Sequence, residues 1–224
     1  MHARVIAYVQ FQRFNHVEDI PSWYFSRRKA LRVRLVRQSA SDPSVFFVYH
    51  TPLLRRVLLQ DTLPPLAQYD APNLLAVRPF GVQVDESAHE WVYSNFVSSQ
   101  RYMTIQLLHR LNTPDVDGER AVATCNMALR RPPFRRDFAQ EIIANGYGEC
   151  IPESMDKYDD GTNASVALLA KHLHKLDVSQ KHAQVMQYGI WKDWQDEKLS
   201  SRVVSAGRRA TVRGLQKLVD KITT

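Results

Sequence analysis

Cysteine is nearly absent from this 224-residue sequence. Two residues, Cys125 and Cys150, are too few for a disulfide scaffold, and reduced, mostly buried thiols are expected. No Cys-x-x-Cys pair, no glycine-rich phosphate loop and no local Ser-His-Asp arrangement occurs. Those gaps remove the commonest signatures of zinc ribbons, nucleotide-binding loops and triad hydrolases. No apolar run reaches about 18 residues, the length a membrane-spanning helix needs. The segment VIAYVQF at 5–11 is too short, and too polar at its edges, for a secretory signal. Without a secretory route, the sequon Asn163-Ala164-Ser165 reads as chance. Acidic residues are missing from the start: Glu18 is the first, after Arg4 and Arg13. That pattern fits an organelle-targeting start and equally any basic N-terminus.

What is present is a hydrophobic fraction of 44%, enough for a packed core, and a net charge of +7. Such a charge favours phosphate-rich or acidic partners, and it is also the average for mitochondrial matrix proteins. The cations cluster. Arg27, Arg28, Lys29, Arg32, Arg34 and Arg37 come first. Arg130, Arg131, Arg135 and Arg136 flank Pro132-Pro133-Phe134. Arg202, Arg208, Arg209, Arg213, Lys217 and Lys221 lie beside a stripe formed by Val204, Ala210, Val212, Leu215, Val219 and Ile222. These are candidate contacts for protein partners or for nucleic acid, weighed against an ordinary solvated surface. His172 and His174 stand two apart on one helix and do not face one another, so no zinc site is expected from them and His182.

Residues 1–26 read as an irregular lead-in. Alternation at 31–35 (LRVRL) predicts a strand, 39–43 a turn, and SVFFVYHT at 44–51 a second strand. A proline-punctuated connection covers 52–72, a third strand 74–84, and a helix 86–97 in which Trp91, Val92 and Phe96 share a face. Two more strands, 102–111 and 120–129, flank turn chemistry at 113–118. A helix is expected over 135–145, stopped by Gly146, then helices over 164–187 and 201–222. Five strands with helices inserted after the third and fifth predict an α+β fold: a five-stranded OB-type barrel with inserted and C-terminal helices. The competing βαβ arrangement has too few helices, too unevenly spaced.

Three segments carry a resemblance. VRPFGVQVDESAHEW (77–91) is similar to the thermonuclease pattern in which an arginine, a glycine and Asp-x-x-Glu precede a helix. DFAQEIIANGYGEC (137–150) resembles the next helical segment of that family. LLAKHLHKLDVSQKHAQVMQYGIWKDW (168–194) resembles its closing helix, ending in Gly189-Ile190-Trp191. Together they span about residues 27–194 and make the chain resemble the staphylococcal-nuclease-like superfamily. The nearest likeness is to a eukaryotic branch of nuclease-like proteins associated with the mitochondrial inner membrane. Relatives of that branch carry a membrane anchor before the barrel, and no apolar run of that length occurs in these residues. The resemblance implies domains at 1–26 (extension), 27–194 (barrel) and 195–224 (basic helical extension).

In that family two aspartates hold a cation, a glutamate serves water activation and two arginines clamp the phosphoryl group. Carried over by position, Arg78 matches the first arginine and Glu86 the glutamate. Gln83 stands where a metal-binding aspartate should be. The Asp-Gly-Asp-Thr turn reads Ser41-Asp42-Pro43-Ser44, leaving Asp42 as the only metal candidate. The second arginine falls at Glu119 or Arg120, one register apart, and in a strand that slip reverses the face. Arg78, Gln83, Glu86 and Arg120 are therefore expected to be vestigial, with no catalysis, no metal and no cofactor. The expectation is a structural subunit of a large mitochondrial assembly, respiratory-chain complex first, on the matrix side or at the inner membrane. It would be peripheral to the membrane and bound to other protein subunits, with RNA contact as the ribosomal alternative. An active metal-dependent nuclease is the remaining alternative.

Overall fold

A computed structural model describes residues 12–52, 55, 74–99, 102–114, 121–131, 134–152, 155–158 and 163–194. Helix α1 (Ser22–Ser26) leads into β1 (Ala30–Gln38) and β2 (Phe46–His50). Then come β3 (Leu75–Pro79), β4 (Val82–Val84) and α2 (Ala88–Val92), which continues as one π-helical turn over Tyr93–Val97. Strands β5 (Tyr102–Pro114), β6 (Ala121–Arg131) and β7 (Phe134–Asp137) are followed by α3 (Phe138–Ala144) and β8 (Gly148–Cys150). A 3-10 turn (Met155–Tyr158), the long α4 (Asn163–Val185) and a second 3-10 turn (Gly189–Trp191) complete the described elements.

Strands β1, β2, β3, β6 and β5 form a closed barrel. Pairing is antiparallel for β1–β2, β2–β3, β1–β5 and β5–β6, and parallel for β3–β6, which closes the ring. The expected OB-type barrel with helices is what the chain forms. Period-two patterning explains it. Leu31, Val33 and Leu35 of β1 point inward with Met103, Ile105 and Leu107 of β5, all buried in one cluster. Alternate residues of β1, Arg32 and Arg34, face out and lay their guanidinium groups over the Tyr102 ring at 4.1 and 4.0 Å. Strand β2 is buried on both faces: Phe46 and Val48 inward, Phe47 and Tyr49 in a separate outer cluster with Leu74 and Ala76.

Helices α2 and α3 supply Val92, Phe96, Phe138 and Ile142 to the barrel's inner cluster. The Phe138 ring stands edge-on to Phe46 and Phe96, with centroids 5.2 and 4.9 Å apart. The lead-in joins this core too, since Phe14, Val17 and Ile20 are each 1% exposed. Residues 12–26 thus pack with the barrel they precede. In α4, Leu169, Leu176 and Ala183 are buried at seven-residue spacing, which gives a narrow contact stripe.

Two sequence expectations need correcting. The third strand over 74–84 is two strands, broken at Phe80-Gly81 because Gly81 turns with φ +74°, against the Leu173 side chain. The second piece, β4, leaves the barrel and pairs with β8. The helix expected over 135–145 begins later. Residues 135–137 belong to β7, paired with β6, and Asp137 caps α3 by accepting the Gln140 N–H at 3.1 Å. Of the expected turn at 113–118, Thr113 and Pro114 belong to β5 and the rest lies outside the described residues, as do most of the 52–72 connection and the 201–222 helix.

Gly146 ends α3 as expected, at φ +73°. It touches the other glycine of the family-like pattern. Ile190 N–H donates to the Gly146 carbonyl at 2.9 Å; a Cβ on Gly189 would fall on the Gly146 carbonyl, and one on Gly146 would fall on the Tyr188 carbonyl. The Gly-Ile-Trp segment is therefore a backbone clasp between the ends of α3 and α4.

Candidate functional site

Of the positions expected for a nuclease centre, Arg78 and Gln83 touch, and Asp42 lies in the turn between β1 and β2. Asp42 accepts the Ser44 N–H at 2.8 Å, an Asx turn that the following Pro43 does not prevent. The buried Ser44 hydroxyl accepts the Val84 N–H at 2.9 Å, so this turn is bonded to β4 beside Gln83. From the neighbouring β3, Arg78 donates through Nη2 to Gln83 Oε1 at 3.3 Å. A serine that sequence reading did not single out thus ties the Asp42 turn to the strand that carries Gln83. Glu86 is exposed, in the turn where Asp85 accepts from Ser87 N and Oγ at 2.9 and 2.6 Å. Arg120 lies outside the described residues.

The electrostatics here differ from those of a cation site. Gln83 offers an amide oxygen without charge, and that oxygen faces a guanidinium. Among the described residues no group of three or more His, Cys, Asp or Glu side chains is placed to hold a metal ion. Both cysteines are unpaired, Cys125 buried and Cys150 half-buried. Burial raises both thiols, and the Asp177 charge raises Cys150 further.

The basic clusters are less open than the sequence suggests. Besides Arg32 and Arg34, Arg37 lies 4.6 Å from the Phe47 ring centroid and Arg27 lies 5.8 Å from that of Trp23. Arg28 donates to the Tyr158 carbonyl at 3.0 Å. Phe47 and Tyr49, on the outer face of β2, are buried and form no open stacking platform for bases. Arg130 is the backbone register partner of Arg135 across the β6–β7 ladder, and Arg131 that of Phe134. The exposed Arg136 guanidinium lies 3.4 Å from Glu141. Arg208, Arg209 and Arg213 lie outside the described residues.

A second concave site was not foreseen. Where α4 crosses the outer face of β5 and β6 there is a cleft of about 310 Å³. Thr104, Gln106 and Asn126 form its strand side, Arg136 and Asp137 one rim, and His172 and Lys175 the helix side. His172 Nδ1 lies 3.3 Å from Asp137 Oδ2. Burial lowers the His172 pKa, Asp137 partly offsets that, and Lys175 adds to the lowering. Both His172 Nε2 and Asn126 Oδ1 are buried without a hydrogen-bond partner. Outward positions of two strands and one turn of a distant helix build this cleft, so only the register reveals it.

No protein-family model and no curated protein matches this chain.

Proposed function

We propose that this chain is a nuclease-like OB barrel that has lost metal-dependent cleavage and acts as a structural accessory subunit of a large mitochondrial assembly, with a respiratory-chain complex favoured. One contact carries the reading: the Arg78 guanidinium bonded to the Gln83 amide oxygen. The arginine that would clamp a phosphoryl group instead faces a neutral side chain at a cation-ligand position. Asp42 is engaged in its own turn and Glu86 is exposed. In this reading the protein sits on the matrix side or at the inner membrane, peripheral to the bilayer. No described helix is long and apolar enough to cross a membrane, which fits that placement.

A second reading, a nucleic-acid-binding subunit of the mitochondrial ribosome, is favoured by the Arg130–Arg135 register pair and the arginines around it. The arginines already stacked on Tyr102 and Phe47 weigh against it.

The deciding experiment is the native size of the protein in a gently solubilised organelle extract, by native gel and mass spectrometry. Comigration with a respiratory complex that survives a salt wash supports the first reading. Cosedimentation with ribosomal RNA, lost steeply with salt, supports the second. Migration near the 25.9 kDa of the free chain overturns both. Cleavage of DNA or RNA with added calcium, abolished by Glu86→Gln, would instead establish an active nuclease.

A further inference from the structure

Seven large apolar side chains are exposed among the described residues, and five of them, Leu168, Val178, Val185, Met186 and Tyr188, stand on α4 or just beyond its end. Scattered exposed apolar residues are ordinary, but a concentration on one element marks a contact surface. This one has a period. Leu168, Lys171, Lys175, Val178, His182 and Val185 are all exposed and follow one another at alternating steps of three and four residues. That is the seam by which one helix packs along another. Leu169, Leu176 and Ala183 hold α4 to the barrel from its other side, which leaves the seam open along about 25 Å of helix. Val185 is 71% exposed and Leu168 66%, so the barrel covers little of either.

Charge selects the occupant. Lys171 and Lys175 lie within the seam, so whatever packs here must bring carboxylates to meet them. Lys181, at the edge, is already matched by Asp177 at 2.6 Å. A second copy of α4 has no carboxylate in its own seam and would leave both lysines unmatched. The 201–222 segment carries six basic side chains beside its apolar stripe and a single acid, Asp220, so it is repelled. An anionic bilayer would accept the lysines, but the seam is narrow and has no Trp, Tyr or Phe to anchor it. We infer that the outer face of α4 docks an acidic amphipathic helix of a partner protein. Apolar side chains of that helix pack on Leu168, Val178 and Val185, and its carboxylates flank Lys171 and Lys175. Met186 and Tyr188 carry the apolar contact past the end of α4. The inference goes beyond the accessory-subunit reading by naming a docking face and the chemistry of its partner. No seam residue is Arg78, Gln83, Glu86 or Asp42, so it stands whether or not the nuclease-like reading does.

The test is fluorescence-anisotropy titration of the full chain with a labelled synthetic helix of three heptads, leucine at a and d and glutamate at e and g. The comparison probe is the same helix with lysine in place of glutamate. Saturable one-to-one binding of the acidic helix is expected, with a Kd of about 100 μM or tighter. The lysine helix should bind at least about tenfold more weakly. Val178→Ser combined with Val185→Ser should weaken the acidic helix at least about tenfold, and both sites are exposed, so the fold is kept. Lys171→Glu combined with Lys175→Glu should exchange the preference, so that the lysine helix becomes the tighter ligand. Lys29→Glu, an exposed charge reversal on the approach to β1, should leave binding unchanged. Failure to saturate at ten times the expected Kd overturns the inference, as does equal affinity for the two helices or indifference to both seam variants. Sedimentation of the chain as a dimer that the valine variant dissolves would assign the face to a second copy and overturn it too. So would binding to phosphatidylglycerol vesicles that the same variant abolishes. No organelle extract is used, so this outcome is separate from that of the native-size experiment.

Discussion

Acidification attacks one residue of this barrel with particular force. His50, at the end of β2, is 5% exposed. Its ring stacks on Phe14 at 5.2 Å, and its Nδ1 accepts the Phe14 N–H at 3.1 Å. Burial, aided by the Arg13 charge, lowers its pKa from 6.5 to about 4. The fold therefore binds the neutral ring, and a proton on Nδ1 would confront the amide it now accepts from. With the folded pKa below the unfolded one, this contribution is complete above pH 6.5 and is lost as pH falls towards about 4. That span corresponds to about 3 kcal/mol, at about 1.4 kcal/mol per pH unit. The assay is urea unfolding of wild type and His50→Gln across this range. Glutamine keeps an acceptor for the Phe14 amide and does not titrate. Other histidines and the carboxylates act in both proteins and cancel in the difference. Wild type should lose about 3 kcal/mol more than the variant between neutral pH and pH about 4. Parallel curves would refute the assignment of a neutral, buried His50.

Further predictions concern other parts of the molecule. Gly189→Ala should cost more than the roughly 1–2 kcal/mol of a left-handed backbone alone, because the new Cβ meets Gly146; a thermal melt reads this. Phe138→Ala removes a fully buried ring that touches two others and should cost about 3–5 kcal/mol in urea unfolding. Toward a thiol reagent at neutral pH, Cys150 should react slowly and Cys125 more slowly still, and both at once in denaturant. Gln83→Asp returns a charge to the β4 position beside Arg78. Under the proposed loss of function it yields no calcium-dependent cleavage without further changes, and robust cleavage by this single variant would contradict that proposal.

The barrel was legible because five stretches alternate or are uniformly apolar, and closure needs only that they pair in OB order. The errors have local causes. Gly81 splits an apolar run whose period shows no break, so β4 was merged with β3. Strands β7 and β8 are four and three residues long, too short for a period to register. The start of α3 did carry a signal: Asp137 followed three residues later by Gln140 is N-cap chemistry. The nuclease-like positions were found by spacing, but the Ser44 hydroxyl that ties the Asp42 turn to β4 joins residues 40 apart. The Asp137–His172 cleft was hidden for the same reason.

The parallel β3–β6 pairing has a consequence for how the chain comes into being. Val77 must find Ala123, and everything between them has to be made first. A nascent chain that stops short of β6 holds β3 and β5 as two unsatisfied edges, each offering backbone groups to any neighbour. No smaller closed unit exists among these strands, so the barrel cannot be assembled in instalments. Pairings at such separation form late and slowly, which makes the interval before β6 arrives the period when this protein most depends on being shielded from its own copies.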